Sequence, residues 1–361
     1  MTLALSLDIK KKTQVSSLNK LKFMGVYYMI TKQQQIFDIP VYEYAIKNQF
    51  LEVRFLNIGG AITKIALQED NFQENLVLAY ENWESYFHND CYLNVLVGRT
   101  SNRIKDGQFT LNDELIQVDL NDGPNNLHGG SENLSQQQFV VEPIANGYVL
   151  TTTLPHQEQG FPGNVTVKVS YTLDRNKFNV SYQATTDQET IVNLTQHAYF
   201  NLSGNLKTHI YDHQLQINAD AVAEVDTNSS FTTREIPVAG TLFDFNTLRT
   251  VDPQGMPTLP LFEATSGYDH LYLLKESAEA VIFKDPCSGR TLKITTTSPS
   301  MQFYAGNYLT PELIFENQRP GEIHLGACFE THLVPYDFQS QVLKPEGQFF
   351  QVTSFEFTKE K

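Results

Sequence analysis

An all-β fold, a large antiparallel β-sandwich, is what this sequence predicts. Three observations point there. Apolar and polar residues alternate in many short runs, turn-forming residues separate those runs, and aromatic residues make up 12% of the chain. The clearest run sets Val165, Val167, Val169, Tyr171 and Leu173 against Thr166, Lys168, Ser170 and Thr172. Asp174-Arg175-Asn176-Lys177 then turns the chain, and Phe178, Val180 and Tyr182 alternate with Asn179, Ser181 and Gln183. That is a hairpin whose strands each bury one face.

The same texture recurs over residues 147–154, 190–194, 213–218, 280–283, 291–297 and 348–357. Turn signals stand between the runs at Asn112-Asp113, Asn121-Asp122-Gly123-Pro124, Asn146-Gly147, Ser288-Gly289 and Pro345-Glu346-Gly347. Helical periodicity is scarce, and only residues 83–89 predict a short helical turn. Many short strands without a linker or an internal repeat read as one sandwich domain over residues 35–361. Residues 1–34 read as an N-terminal extension. Five lysines (10, 11, 12, 20 and 22) stand in its first thirty residues against Asp8 alone, in a chain of net charge -15. Met24 or Met29 is an alternative start.

The acidic balance argues against nucleic acid and anionic membrane as partners. No run has the length of an apolar membrane span, and the lysines follow rather than precede the weakly apolar start, unlike a secretion signal. Cys91, Cys287 and Cys328 are odd in number and far apart, which disfavours a disulfide framework or a zinc site. The reading is a cytoplasmic protein, monomer or homodimer, that takes a small molecule.

Five blocks carry chemistry. In Gly98-Arg99-Thr100-Ser101-Asn102-Arg103-Ile104, two arginines four apart with Asn between either hold sugar hydroxyls or a carboxylate, or brace a loop. Asn121–Gly130 presents His128 on a Gly-rich loop, as a binding residue or an exposed spectator. It is no phosphate loop, since no strand-to-helix junction surrounds it. In Asn193-Leu194-Thr195-Gln196-His197-Ala198-Tyr199-Phe200-Asn201, His197 ends a strand-like run and is a natural proton donor or acceptor. Asp269, in Ser266-Gly267-Tyr268-Asp269-His270, either accepts bonds from vicinal hydroxyls or caps a turn. Glu330, in Gly326-Ala327-Cys328-Phe329-Glu330-Thr331, is embedded among apolar residues, where desolvation raises a carboxyl toward a useful base. His209 and His213 have the spacing of helical zinc ligands, but their neighbours favour a turn into a strand, so no metal is expected. No G-x-S-x-G offers a serine nucleophile.

Taken in order, these blocks resemble the aldose 1-epimerase family. The likeness rests on Asn102-Arg103-Ile104, Leu127-His128-Gly129-Gly130, the Asn193–Gly204 strand, Gly267–His270, Met301–Asn307 and Gly326–Thr331, and it covers residues 35–355. The resemblance implies a galactose mutarotase-like supersandwich that interconverts the α and β anomers of free hexoses, galactose or glucose. It implies Glu330 as the base at the C1 hydroxyl and His197 as the acid at the ring oxygen. Asn102, Arg103, His128, Tyr199, Asp269 and Gln302 would position the sugar. Ring opening only exchanges protons, so no cofactor and no metal is expected. The chain departs from the pattern at Gln196, at His332, and in a shortened loop over residues 334–339 that would border the sugar. Maltose or another sugar, a phosphosugar, and a non-catalytic sugar-binding module are the alternatives.

Overall fold

The computed structural model of the chain describes residues 21–23, 25–68, 73–252, 262, 265–276 and 279–360. Three antiparallel sheets dominate them. A five-stranded sheet runs in chain order through Leu21–Phe23, Val26–Ile36, Ile39–Lys47, Leu51–Leu56 and Ile62–Leu67. A nine-stranded sheet is centred on Val165–Asp174, Lys177–Thr186 and Phe349–Lys359. A six-stranded sheet carries, from one edge, Tyr199–Phe200, Ala327–His332, Ser300–Tyr304, Asp269–Leu274, Ala219–Val225 and Phe231–Pro237.

The alternation read from the sequence is the alternation of burial. In Val165–Asp174 every odd position is buried, and Asp174 pairs with Lys177 across a turn in which Arg175 takes φ 54°. Trp83–Phe87 is a short 3-10 turn. The strand expected over residues 190–194 is reduced to Thr190–Ile191, paired with Val342–Leu343.

The sheets stack through aromatic side chains. Phe200 lies 5.4 Å from Phe355, and Phe329 lies 5.2 Å from Phe283, joining the six- and nine-stranded sheets. Phe55 lies 5.0 Å from Tyr171, joining the five- and nine-stranded sheets. Buried aromatic side chains each remove 150–250 Å² from water, at roughly 25 cal/mol per Å² of apolar surface, so this layer supplies much of the driving force. One hydrophobic cluster runs from Val26 to Phe357 through all three sheets.

That cluster moves the expected domain boundary. Residues 26–34 were expected in the N-terminal extension, but Val26–Ile36 pairs with Ile39–Lys47, and Val26 and Tyr28 enter the core. The polar stretch Lys32-Gln33-Gln34-Gln35 hides the strand in the sequence because its exposed residues break the alternation. Residues 1–20 of the expected extension, and the alternative start Met24, lie outside the described residues.

Candidate active site

The site lies on the face of the six-stranded sheet opposite the aromatic layer. Glu330 pairs with Gln302 in register, and Tyr304 pairs with both Cys328 and Asp269. Side chains of a strand alternate between faces. These five therefore share the cleft face, while Phe329, Phe303 and Met301 point into the core. Loops fold over the cleft face. Thr195–Gln196 pairs with Leu96–Val97 and delivers His197, whose backbone N–H donates to Val95 O at 2.9 Å. Arg103–Ile104 pairs with Asn126–Leu127 and delivers Asn102 and His128, both in the left-handed region at φ 65° and 56°. Gly129, at φ 93°, lets that loop press against the chain. A Cβ there would stand 2.5 Å from Arg99 N.

A cavity of about 480 Å³ results, lined by all eight residues expected at the site: Glu330, His197, Asn102, Arg103, His128, Tyr199, Asp269 and Gln302. His197 Nε2 stands 3.4 Å from Glu330 Oε1, and both side chains are almost fully buried. A string of amides holds the floor. Asn102 Nδ2 donates to Gln302 Oε1 at 2.9 Å, and Gln302 Nε2 donates to Asp269 Oδ1 at 2.7 Å. Arg103 Nε donates to Asp122 Oδ2 at 2.7 Å. Tyr199 spends its hydroxyl on Cys91 O at 2.7 Å and stacks its ring on His197 at 5.1 Å, so it bears on the imidazole.

Burial sets the proton affinities. It pushes the Glu330 carboxyl well above the usual carboxylate range; Asp269 adds to the rise and Arg103 opposes it. Burial pulls His197 down to about 4. Burial also holds His128 well below the ordinary imidazole value, helped by His197, Arg103 and His332. Asp269 is raised by burial against the pull of Arg103 and Gln302. Burial thus favours the uncharged form of each partner, a protonated carboxyl beside a neutral imidazole.

His128, His197 and Glu330 present ligand atoms within 4.8 Å of one another, close enough to hold a metal ion. The tautomer of His128 opposes that. Its Nδ1 accepts from the backbone N–H of Asn102 at 3.1 Å, so Nε2 carries the hydrogen. Ligation through Nε2 would break this bond. His128 is built as a fixed donor.

Other expectations divide. Arg99 does not reach the cavity. Its guanidinium is buried and donates to four backbone carbonyls, those of Leu154, Pro155, Pro162 and Gly163. His209 lies against Glu322, while His213 Nε2 accepts from Leu202 N, so the two histidines serve separate neighbours. Gln196 is structural, its Oε1 accepting from Tyr171 Oη at 2.6 Å. None of residues 334–339 lines the cavity; Val334 and Tyr336 pack instead with Phe231. The loop expected to border the sugar braces a neighbouring sheet edge.

Sequence reasoning passed over Asn94 and Tyr92. Asn94, at φ 57°, donates its backbone N–H to His197 O at 3.0 Å and accepts from Tyr199 N at 2.8 Å, clamping the His197 segment on both sides. The one signal in the sequence was an Asn, a residue type that tolerates the left-handed backbone, just ahead of the apolar Val95-Leu96-Val97 run.

The aldose 1-epimerase family profile matches residues 42–355. The chain belongs to the aldose 1-epimerase family. It is 34% identical to a galactose mutarotase of Sus scrofa over 91% of this chain and 99% of that one. It is 31% identical to an aldose 1-epimerase of Haemophilus influenzae over 85% of this chain and 92% of that one. Its fold is similar to that of a galactose 1-epimerase from Lactobacillus acidophilus, with TM-score 0.82 at 25% identity, covering 96% of this chain and 100% of that chain.

Proposed function

We propose that this protein interconverts the α and β anomers of free hexoses, galactose and glucose, by acid–base ring opening between Glu330 and His197. The observation that carries the reading is the 3.4 Å contact between a buried imidazole and a buried carboxyl inside a sugar-sized cavity. Ionised Glu330 takes the C1 hydroxyl proton while protonated His197 gives one to the ring oxygen. The C1–O5 bond breaks and leaves an open aldehyde. Rotation about C1–C2 and the reverse transfers close the other anomer. No electrons leave the sugar.

The pair begins this step with one proton, on the imidazole, and ends it with one proton, on the carboxyl. Burial favours the second state, so reaching the first costs free energy that the proton transfers of ring opening then return. The reverse transfers restore the first state. Each well-placed acid or base is worth on the order of 10²–10⁴ in rate. Asn102, Arg103, His128 and Asp269 are the groups assigned to the remaining hydroxyls, with Gln302 bracing Asn102 against Asp269 and Tyr199 backing His197.

Arg103 is the one Lys or Arg among the lining residues, and it is already engaged by Asp122. A phosphosugar would want a cluster of free basic groups. That favours neutral hexoses. Three thiols without disulfide partners suit the reducing cytoplasm, and galactose metabolism is the setting that fits the sugar. Polarimetry on freshly dissolved α-D-galactose, α-D-glucose, maltose and glucose 6-phosphate tests the reading. Rapid equilibration of the free hexoses is expected. Decay no faster than the uncatalysed rate for every sugar overturns it.

A further inference from the structure

We infer that Tyr92 is a positioning residue for the acid–base pair, a wedge that fixes His128 and His197 relative to each other. The inference rests on the proposed reaction and deepens it. The Tyr92 ring lines the cavity. It meets the His128 ring edge-on at 4.6 Å and 70°, and lies 6.1 Å from the His197 ring at 27°. The two imidazoles stand 5.6 Å apart and nearly perpendicular, at 85°. One ring therefore abuts both, in the edge-on and offset arrangements that aromatic pairs prefer.

The backbone is shaped to put it there. Tyr92 sits at φ 53°, a conformation that large side chains rarely adopt and that clusters at functional sites. Tyr92 N donates to Asn89 O at 2.9 Å, and Asn89 Oδ1 in turn accepts from Leu93 N at 2.7 Å. Two residues on, Asn94 grips the His197 carbonyl. At its far end, the Tyr92 hydroxyl accepts from Asn121 Nδ2 at 3.4 Å, and the same amide donates to Leu127 O beside His128. The segment is thus tied to the backbone of one histidine and to the loop of the other.

Its removal has a defined consequence. His197 faces Glu330 from one strand, Tyr304 from the next, Tyr199 two residues on, and His128 across the cleft. Arg103 and His332 act electrostatically on His128. Taking the Tyr92 ring away changes none of these charges. It admits water beside both imidazoles and frees their angle. Desolvation is the first cause of the low proton affinity of both, so both should rise.

The test compares wild type, Tyr92→Phe, Tyr92→Leu and His197→Asn as full chains. It measures kcat and KM for galactose by polarimetry across pH, and the imidazole C–H titrations by NMR. Tyr92→Leu should lose on the order of 10²-fold in kcat, a larger change than the rise in KM that a loosened His128 brings, as a misplaced catalytic group does. Its His197 titration and acid limb should move up from about 4 toward the ordinary 6.5. Tyr92→Phe, which keeps the ring, should stay within about tenfold of wild type. Should Tyr92→Leu not fold, Tyr92→Asn, which tolerates the left-handed backbone and leaves the space open to water, serves the same comparison. A folded variant with an unmoved limb overturns the inference. So does a Phe variant as impaired as the Leu one, since the hydroxyl would then be the operative part. A His197→Asn enzyme of full activity would instead defeat the functional reading itself.

Discussion

The two faces of the six-stranded sheet are made by the same strands and put burial to opposite uses. On the core face, Phe303 stacks on Phe329 at 5.5 Å and 10°, and Phe329 meets Phe283 of the facing sheet. On the cleft face, one residue along, Gln302 stands beside Glu330, and Asp269 beside Tyr304. Removing apolar rings from water stabilises the fold. Removing a carboxyl and an imidazole from water costs stability and shifts their proton affinities. The strand period of two couples these uses: the backbone ladder that sets Phe303 beside Phe329 also sets Gln302 between Glu330 and Asp269.

Substitutions on the two faces should therefore fail differently. The largest effects belong to the cleft face. Glu330→Gln and His197→Asn should each lower kcat by on the order of 10²–10⁴, while calorimetry still detects galactose binding. Wild-type turnover in either would break the contrast. Phe329→Ala, one residue away, should cost about 3–5 kcal/mol in urea unfolding through the cavity it leaves. Its surviving folded molecules should keep most of their kcat. A smaller effect sharpens the contrast between two arginines four residues apart. Arg99→Leu leaves buried carbonyls without donors and should cost about 1–3 kcal/mol of stability, with KM little changed. Arg103→Leu should raise KM for galactose instead. Reversal of that pattern would mean that Arg99 serves the sugar.

The contrast also explains what the sequence could disclose. The hairpin Val165–Asp174/Lys177–Thr186 was legible because one side of each strand is wet, so burial is written as alternation. Strands Ser300–Tyr304 and Ala327–His332 are buried on both sides, so alternation is silent there. Their cleft residues were found through the family-like pattern, and Glu330 also because a charge among apolar residues needs a reason. Arg99 and Arg103 share one motif yet diverge, because the local turn and the carbonyls within reach decide where a side chain points, and neither is encoded in residue type. Tyr92 and Asn94 escaped for the same reason. Their work depends on left-handed backbone conformations that only the folded chain displays. Val26–Ile36 was missed because an exposed polar strand resembles a linker.

The central claim is that Glu330 and His197 act as a buried pair holding a single proton. The pH dependence of kcat/KM for α-D-galactose, corrected for the uncatalysed rate, tests it most directly. Below the imidazole value of about 4 the pair gains a second proton and has no base. Above the raised value of the Glu330 carboxyl the pair loses its proton and has no acid. The account predicts a plateau bounded by an acid limb near pH 4 and an alkaline limb well above the ordinary carboxylate range. An acid limb near the ordinary imidazole value of about 6.5, with no alkaline limb, would contradict it.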